Sequence, residues 1–138
     1  MKQINPYLNF NGNCREAMTF YKRCLGGALS FQTVGDSPMA DRLPPEARQT
    51  ILHASLVRDG LVLMASDMTR EKLVNGNTIS LCVQCSSEWE IKTLFFNLSE
   101  GGKIMDPLVD QFWGSIYGAL TDKFGKIWML NYDKKSPN

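Results

Sequence analysis

The chain has 138 residues, 21% of them charged, and a formal net charge of +1, so it is long enough for one domain with its own core. Its lysines and arginines are scattered rather than gathered into a basic stripe, which argues against nucleic acid as a partner. No apolar run approaches the roughly 20 residues that span a bilayer, and the N-terminus has no apolar signal-peptide core. We therefore expect a cytoplasmic protein with neither a nucleic-acid nor a membrane partner.

The first half of the chain predicts a strand, a helix and three more strands. Residues 4–11 are expected to form the first strand, with Pro6 near its start. Asn13 is a suitable helix N-cap, Glu16 follows three residues later, and an apolar stripe at helical spacing runs up to the Gly26-Gly27 pair. Further strands are expected at residues 28–34, 51–58 and 61–66, the last two joined by the Asp59-Gly60 turn.

Residues 35–49 interrupt the strand pattern with three of the six prolines. Prolines and mixed charges predict a long loop with one helical turn. Loops longer than about 12 residues often cover binding pockets. Two interpretations stay open: a lid over a pocket, or a mobile surface loop.

The second half repeats these signals. A strand at residues 78–85 precedes Ser87 and Glu90, which have the spacing of a capping box, and the Gly101-Gly102 pair follows an apolar helical stripe. Residues 112–120 alternate between two faces, with Trp113, Ser115, Tyr117 and Ala119 on one of them. A turn at residues 122–125 then leads to a strand at 127–132.

The two halves, about 4–67 and 78–133, therefore predict the same order of elements, with a period of about 75 residues from Gly26 to Gly101. Each half is too small to bury a core alone, so we expect the sheets to pack against each other or against a second chain. The expected fold is α+β, a single domain over residues 1–138, with tandem βαβββ modules forming a curved, cupped mixed sheet.

Three stretches resemble a known family: PYLNFNGNCREAMTFYKRCLGG at residues 6–27, LMASD at 63–67 and FWGSIYGALTDKFGKIWMLN at 112–131. They are similar to the PhnB-like branch of the vicinal oxygen chelate superfamily, which includes glyoxalase I, extradiol dioxygenases and the bleomycin and fosfomycin resistance proteins. The resemblance covers nearly the whole chain. It implies a glyoxalase-like fold and a homodimer, commonly one in which two chains complete each sheet.

Enzymes of this superfamily hold a divalent ion with His or Glu on the first and last strands of each half. The matching positions in this chain lie near Pro6, Met64, Thr78 and Met129, and none of these is a normal ligand for a hard metal ion. Cys82 and Cys85 have CxxC spacing, but residues three apart on a strand point to opposite faces. We therefore predict no metal, and reduced, mostly buried cysteines.

We also predict no cofactor, since no glycine-rich strand-to-helix turn is present to cradle a nucleotide-like group. What remains is a set of methionine, aromatic and small polar residues expected to face inward. The predicted ligand-binding residues are Met64, Ser66, Thr78, Ser80, Trp113, Tyr117, Met129, Asn131 and His53. The alternative for the methionines is that they only fill the core.

Two functions compete on this basis. The first is a metal-independent homodimer of the glyoxalase and bleomycin-resistance type that binds a small organic molecule. The second is a metal-dependent lyase, isomerase or dioxygenase with nonstandard ligands such as His53 and Asp67, whose metal would act as a Lewis acid. His53 also has a simpler interpretation, a partly buried imidazole with a backbone partner. A pure interaction module is a third possibility.

Overall fold

The computed structural model of the protein describes residues 1–134. These residues form two compact units, the first ending at Val74 and the second beginning at Asn75. Within the described part of the chain, no helix has both the length and the apolar character needed to cross a bilayer. The predicted halves fall inside these two units, and the single-domain interpretation stays a prediction.

Each unit contains one helix and four strands in the order βαβββ, which confirms the predicted α+β class and the repeat. The first unit contains β1 (Tyr7–Asn9), α1 (Cys14–Leu25), β2 (Ala28–Thr33), β3 (Ile51–Arg58) and β4 (Leu61–Ser66). The second contains β5 (Leu81–Gln84), α2 (Glu88–Leu98), β6 (Lys103–Asp110), β7 (Ser115–Thr121) and β8 (Ile127–Asp133).

The two sheets have the same topology. The first has the order β1-β4-β3-β2 and the second the order β5-β8-β7-β6. In each, the first and last strands of the unit run parallel and the other pairs are antiparallel. Each helix packs on its own sheet, α1 against β2, β3 and β4, and α2 against β7 and β8. One sheet face in each unit is therefore covered by its helix, and we call the opposite face, which that helix does not cover, the open face.

The two helices begin with different caps. At α2 the predicted Ser87 cap is confirmed, because Ser87 Oγ accepts a hydrogen bond from the Glu90 amide at 3.0 Å. Glu90 Oε1 accepts a hydrogen bond at 2.8 Å from the amide of Ser86, the residue before the cap, in place of the Ser87 amide that a capping box would use. At α1 the side chain of Asn13 makes no capping bond. Asp67, which follows β4, supplies the acceptor instead: its Oδ1 accepts from the Cys14 amide at 3.0 Å.

The double glycines are explained by close approach of the backbone. Gly27 has a φ of +102°, and a Cβ there would lie 2.7 Å from the Val57 carbonyl oxygen. In the second unit, a Cβ on Gly102 would lie 2.9 Å from the carbonyl carbon of Asp122. Neither contact is possible for a larger residue without a backbone shift. The recurrence of glycine after both helices thus reflects the same packing of the helix end on the sheet.

Residues 34–49 are more regular than predicted. In place of one helical turn they form three short 3-10 helices, Val34–Asp36, Pro38–Arg42 and Pro45–Gln49. Local side-chain acceptors start two of them: Thr33 Oγ1 accepts from the Asp36 amide, and Ser37 Oγ accepts from the Met39 amide. A lid role for this segment stays a prediction.

Three strands are shorter than the sequence pattern indicated. The first strand covers Tyr7–Asn9 rather than residues 4–11. The strand predicted from residue 78 begins at Leu81, which leaves Thr78 and Ser80 exposed in a connecting segment. The strand predicted from residue 112 begins at Ser115.

Candidate functional site

The open face of the first sheet carries two of the predicted site residues. Met64 lies opposite Tyr7 on β1 and opposite Ser55 on β3. His53 is two residues from Ser55 and therefore on the same face, and its ring lies 6.1 Å from that of Tyr7, centroid to centroid. Both predicted residues are half-buried.

The open face of the second sheet carries Met129 and Asn131. Met129 lies opposite Cys82 on β5 and Ala119 on β7. Asn131 lies opposite Tyr117, and its amide donates to Gln84 Oε1 at 3.0 Å. The two units thus present equivalent methionines on equivalent strands, Met64 on β4 and Met129 on β8.

This register locates the positions matched to the superfamily's metal ligands, which the sequence placed only near Pro6, Met64, Thr78 and Met129. The residues opposite the two methionines are Tyr7 and Cys82; Tyr7 adjoins Pro6, whereas Cys82 is four residues beyond Thr78. Pro6 precedes β1 and Thr78 precedes β5, because both strands start later than the pattern indicated. Among residues 1–134, no group of three or more His, Cys, Asp or Glu side chains is placed to hold a metal ion.

An open cavity of about 470 Å³ lies in the second unit, against β6, β7 and the turn that joins them. It brings together two of the predicted site residues, Trp113 and Tyr117. Trp113 is 62% exposed, so much of its ring surface is free to contact a ligand. The cavity is lined by Asp106, Pro107, Val109, Gln111, Trp113 and Tyr117.

Trp113 lies in a turn rather than in the strand where it was predicted. The amide of Gly114 donates to the Gln111 carbonyl at 3.0 Å, and Gly114 has a φ of +94°. The Trp113 ring packs edge-to-face on Phe112, with 4.9 Å between the centroids. The prediction that a strand begins at residue 112 and puts Trp113 on the same face as Tyr117 is therefore wrong. Both residues nevertheless line the cavity.

The Tyr117 hydroxyl is held in its neutral form. Burial is the largest cause that raises the pKa of Tyr117, and the Asp106 carboxylate and the Cys82 thiol raise it further. Its hydroxyl is thus available at neutral pH as both donor and acceptor.

The other predicted site residues do not line this cavity. Ser66 is only 3% exposed, and its hydroxyl accepts a hydrogen bond from the Met68 amide at 3.3 Å. Thr78 and Ser80 are exposed outside any strand. Met64 and His53 lie in the first unit, while Met129 and Asn131 lie on β8, beside the cavity strand β7 but outside the lining.

The carboxylate of Asp67 is engaged by backbone amides. Its Oδ1 accepts from Gly12 at 2.8 Å and from Cys14 at 3.0 Å, and its Oδ2 accepts from Ile51 at 3.2 Å. In the described chain no hydrogen bond joins Asp67 to His53. These three hydrogen bonds to the backbone are sufficient to explain why an aspartate occupies this position.

The cysteines differ sharply in exposure. All four are free, Cys14 and Cys85 are buried, and Cys82 is exposed, so the prediction of burial is wrong for Cys82. Burial and the nearby Asp67 carboxylate raise the pKa of Cys14 to about 12. Burial, then Glu90, raises the pKa of Cys85 to about 11. Neither buried thiol is reactive near neutral pH, since the thiolate is the nucleophile.

Iodoacetamide at about pH 8 is expected to alkylate Cys82 well before Cys14 or Cys85, because the exposed thiol can meet the reagent, whereas burial both shields the other two thiols and raises their pKa. Peptide mass spectrometry over time measures the order. The control is the same reaction in concentrated urea, where the cysteines should be alkylated at similar rates. Modification of Cys14 at the rate of Cys82 in the folded protein would contradict the burial described above.

Sequence reasoning missed four cavity residues: Asp106, Pro107, Val109 and Gln111. They lie on or just after β6, where most residues are exposed and the register with β7 shifts twice. An exposed strand has no apolar alternation to reveal it. Pro107 was the available signal, because a proline within a strand indicates a sheet edge.

Comparison with known proteins identifies the family. The sequence model of the family described as 3-demethylubiquinone-9 3-methyltransferase matches residues 2–131. Protein YjdN of Escherichia coli K12 is 32% identical over an alignment of 143 positions, which covers 97% of this chain and 97% of that protein.

Solved structures agree. Protein PA1353 of Pseudomonas aeruginosa is 39% identical with a TM-score of 0.85, over 98% of this chain and 100% of that one. A Bacillus cereus structure called a putative 3-demethylubiquinone-9 3-methyltransferase, PhnB protein, is 29% identical with a TM-score of 0.75, over 95% and 99% of the two chains. A glyoxalase/bleomycin resistance protein/dioxygenase from Nocardioides shares the fold at a TM-score of 0.58 and 18% identity, over 100% of this chain and 88% of that one. The chain therefore belongs to the PhnB-like family that this sequence model describes, and it has a glyoxalase-like fold.

Proposed function

We propose that this protein binds a small organic molecule, without a metal, as a homodimer. The observation that carries the proposal is the cavity beside Trp113 and Tyr117. Its volume of about 470 Å³ lies within the range of roughly 300 to 1,000 Å³ typical of small-molecule sites. Its lining combines apolar walls with few polar groups, as such sites do.

The cavity side chains offer a ligand two kinds of contact, apolar surface and hydrogen-bonding groups. Pro107 and Val109 offer apolar surface, and the exposed ring of Trp113 offers an aromatic face that becomes buried when a ligand enters. Tyr117 and Gln111 offer a hydroxyl and an amide that orient polar groups of the ligand.

Metal independence is supported by the residues at the positions that carry ligands in related enzymes. Met64 lies opposite Tyr7, and Met129 lies opposite Cys82. Thioethers and thiols suit soft ions rather than the oxygen-seeking ions that polarise vicinal oxygens. The metal-dependent enzyme with His53 and Asp67 as ligands stays the alternative, and the cytoplasmic location stays a prediction.

The homodimer is supported by the edge strand β6. Within its own sheet it pairs on one side only, with β7. Ile104 and Met105 on this strand are about half exposed. An unpaired edge with apolar side chains is a surface that a second copy can cover.

Replacing Trp113 by alanine is expected to weaken binding of the neutral dye N-phenyl-1-naphthylamine by about tenfold or more, because a buried aromatic contact is lost. Fluorescence titration measures the affinity. Trp89→Ala is the matched control, since Trp89 is 75% exposed on α2 and does not line the cavity. Equal affinity in the Trp113→Ala variant would count against this cavity as the ligand site.

Native mass spectrometry of the protein purified from rich medium tests the homodimer, the absence of a metal ion and the bound small molecule in one experiment. We expect a dimer that carries no metal ion and retains a small molecule. A monomer would refute the homodimer. One divalent ion per subunit would refute metal independence and favour the enzyme.

A further inference from the structure

The cavity has one charged group, the carboxylate of Asp106, and no basic side chain in its lining. Asp110, four residues along the same strand, has its charge balanced by Lys134, whose Nζ lies 2.7 Å away. Asp106 has no such ion-pair partner among residues 1–134. The cavity therefore carries an uncompensated negative charge.

The register of β6 and β7 places this charge beside the aromatic lining. Asp106 on β6 lies opposite Ala119 on β7. Tyr117 is two residues from Ala119 along β7, so the two side chains are on the same face of the sheet. Trp113 lines the same cavity. A carboxylate near aromatic rings favours a cation twice, through charge and through the negative ring faces, and it repels an anion.

Resting on the proposed function, we propose that the ligand carries a positively charged nitrogen, an amine or a quaternary ammonium group, recognised by Asp106 together with the rings of Trp113 and Tyr117. The effect of Asp106 on the neighbouring phenol agrees with this arrangement. Its carboxylate contributes, after burial, to the raised pKa of Tyr117, so the two groups lie near enough to interact.

The test uses three probes of similar size: benzyltrimethylammonium, its neutral carbon analogue neopentylbenzene, and the anion phenylmethanesulfonate. The protein is labelled with 5-fluorotryptophan and followed by fluorine NMR. Trp113 reports on the cavity. Trp89, exposed on α2, and Trp128, which is 2% exposed, are internal controls.

We expect the ammonium probe to shift the Trp113 signal and to bind about fivefold more tightly than the neutral probe, a size consistent with a partly exposed cation contact. The anion should bind most weakly. Asp106→Asn should abolish the preference for the cation. Asp110→Asn, which changes the net charge equally, should keep it.

The outcomes separate the two proposals. If the neutral probe binds as tightly as the cation, the cation proposal is overturned and the cavity remains a ligand site. If Asp110→Asn removes the preference as fully as Asp106→Asn does, recognition by Asp106 is refuted in favour of a general charge effect. If none of the three probes shifts Trp113, the proposed function fails as well.

Discussion

The Asp122→Ala variant is expected to lose about 4 kcal/mol of unfolding free energy, because it removes the acceptor of three hydrogen bonds, one of them from the buried indole of Trp128. Asp122 is only 3% exposed. Its Oδ1 accepts from the amides of Phe124 at 2.8 Å and Lys126 at 3.0 Å. Its Oδ2 accepts from the indole nitrogen of Trp128 at 2.8 Å. One carboxylate thus closes the β7-β8 turn and satisfies a buried tryptophan.

Urea denaturation followed by circular dichroism measures the loss. Asp59→Ala is the matched control, because Asp59 occupies the turn of the other hairpin but is exposed. We expect that variant to lose less than about 1 kcal/mol. Similar losses in the two variants would show that turn preference, rather than the buried hydrogen bonds, explains the role of Asp122.

Asp67→Ala is expected to lower the unfolding free energy by about 3 kcal/mol. Its carboxylate joins three chain segments by accepting hydrogen bonds from the amides of Gly12, Cys14 and Ile51. Cys14 and Ile51 are both buried, so water does not replace the lost acceptor there. The start of α1 and the start of β3 depend on the same side chain.

Hydrogen exchange measured by NMR adds a local test, since the amides of Cys14 and Ile51 should lose protection in this variant. Asp41→Ala, on an exposed residue of a 3-10 helix, is the control. Asp67→Asn keeps one acceptor oxygen and should lose less stability than the alanine variant. A stable Asp67→Ala protein with normal exchange would contradict a structural role and favour the alternative in which Asp67 serves with His53 as a metal ligand.

The repeat was predictable because its signals are local. Ser87 with Glu90, and glycine after each helix, act within a few residues of the chain. Asp67 is an example of a contact that local signals do not predict. Its partners at Gly12 and Ile51 are distant in sequence, so sequence alone offered Asn13 as the cap of α1.

The candidate site was predictable only in part for the same reason. Trp113 and Tyr117 were identified as aromatic residues with polar tips, and they line the cavity. Asp106 reaches it through the pairing of β6 with β7, whose irregular register no short pattern encodes. Thr78 and Ser80 were misplaced because a run of strand-forming residues extends beyond the part that has a pairing partner.

The exposure of Cys82 offers a natural attachment point for a spectroscopic label. Its backbone is held in β5 by pairing with β8, so a nitroxide attached there would have a well-defined origin. After replacement of the half-buried Cys24 by serine, one spin label per chain would remain. In a homodimer, pulsed electron paramagnetic resonance would then measure a single distance between two copies of the same strand. That distance would report how the copies are arranged without any introduced cysteine.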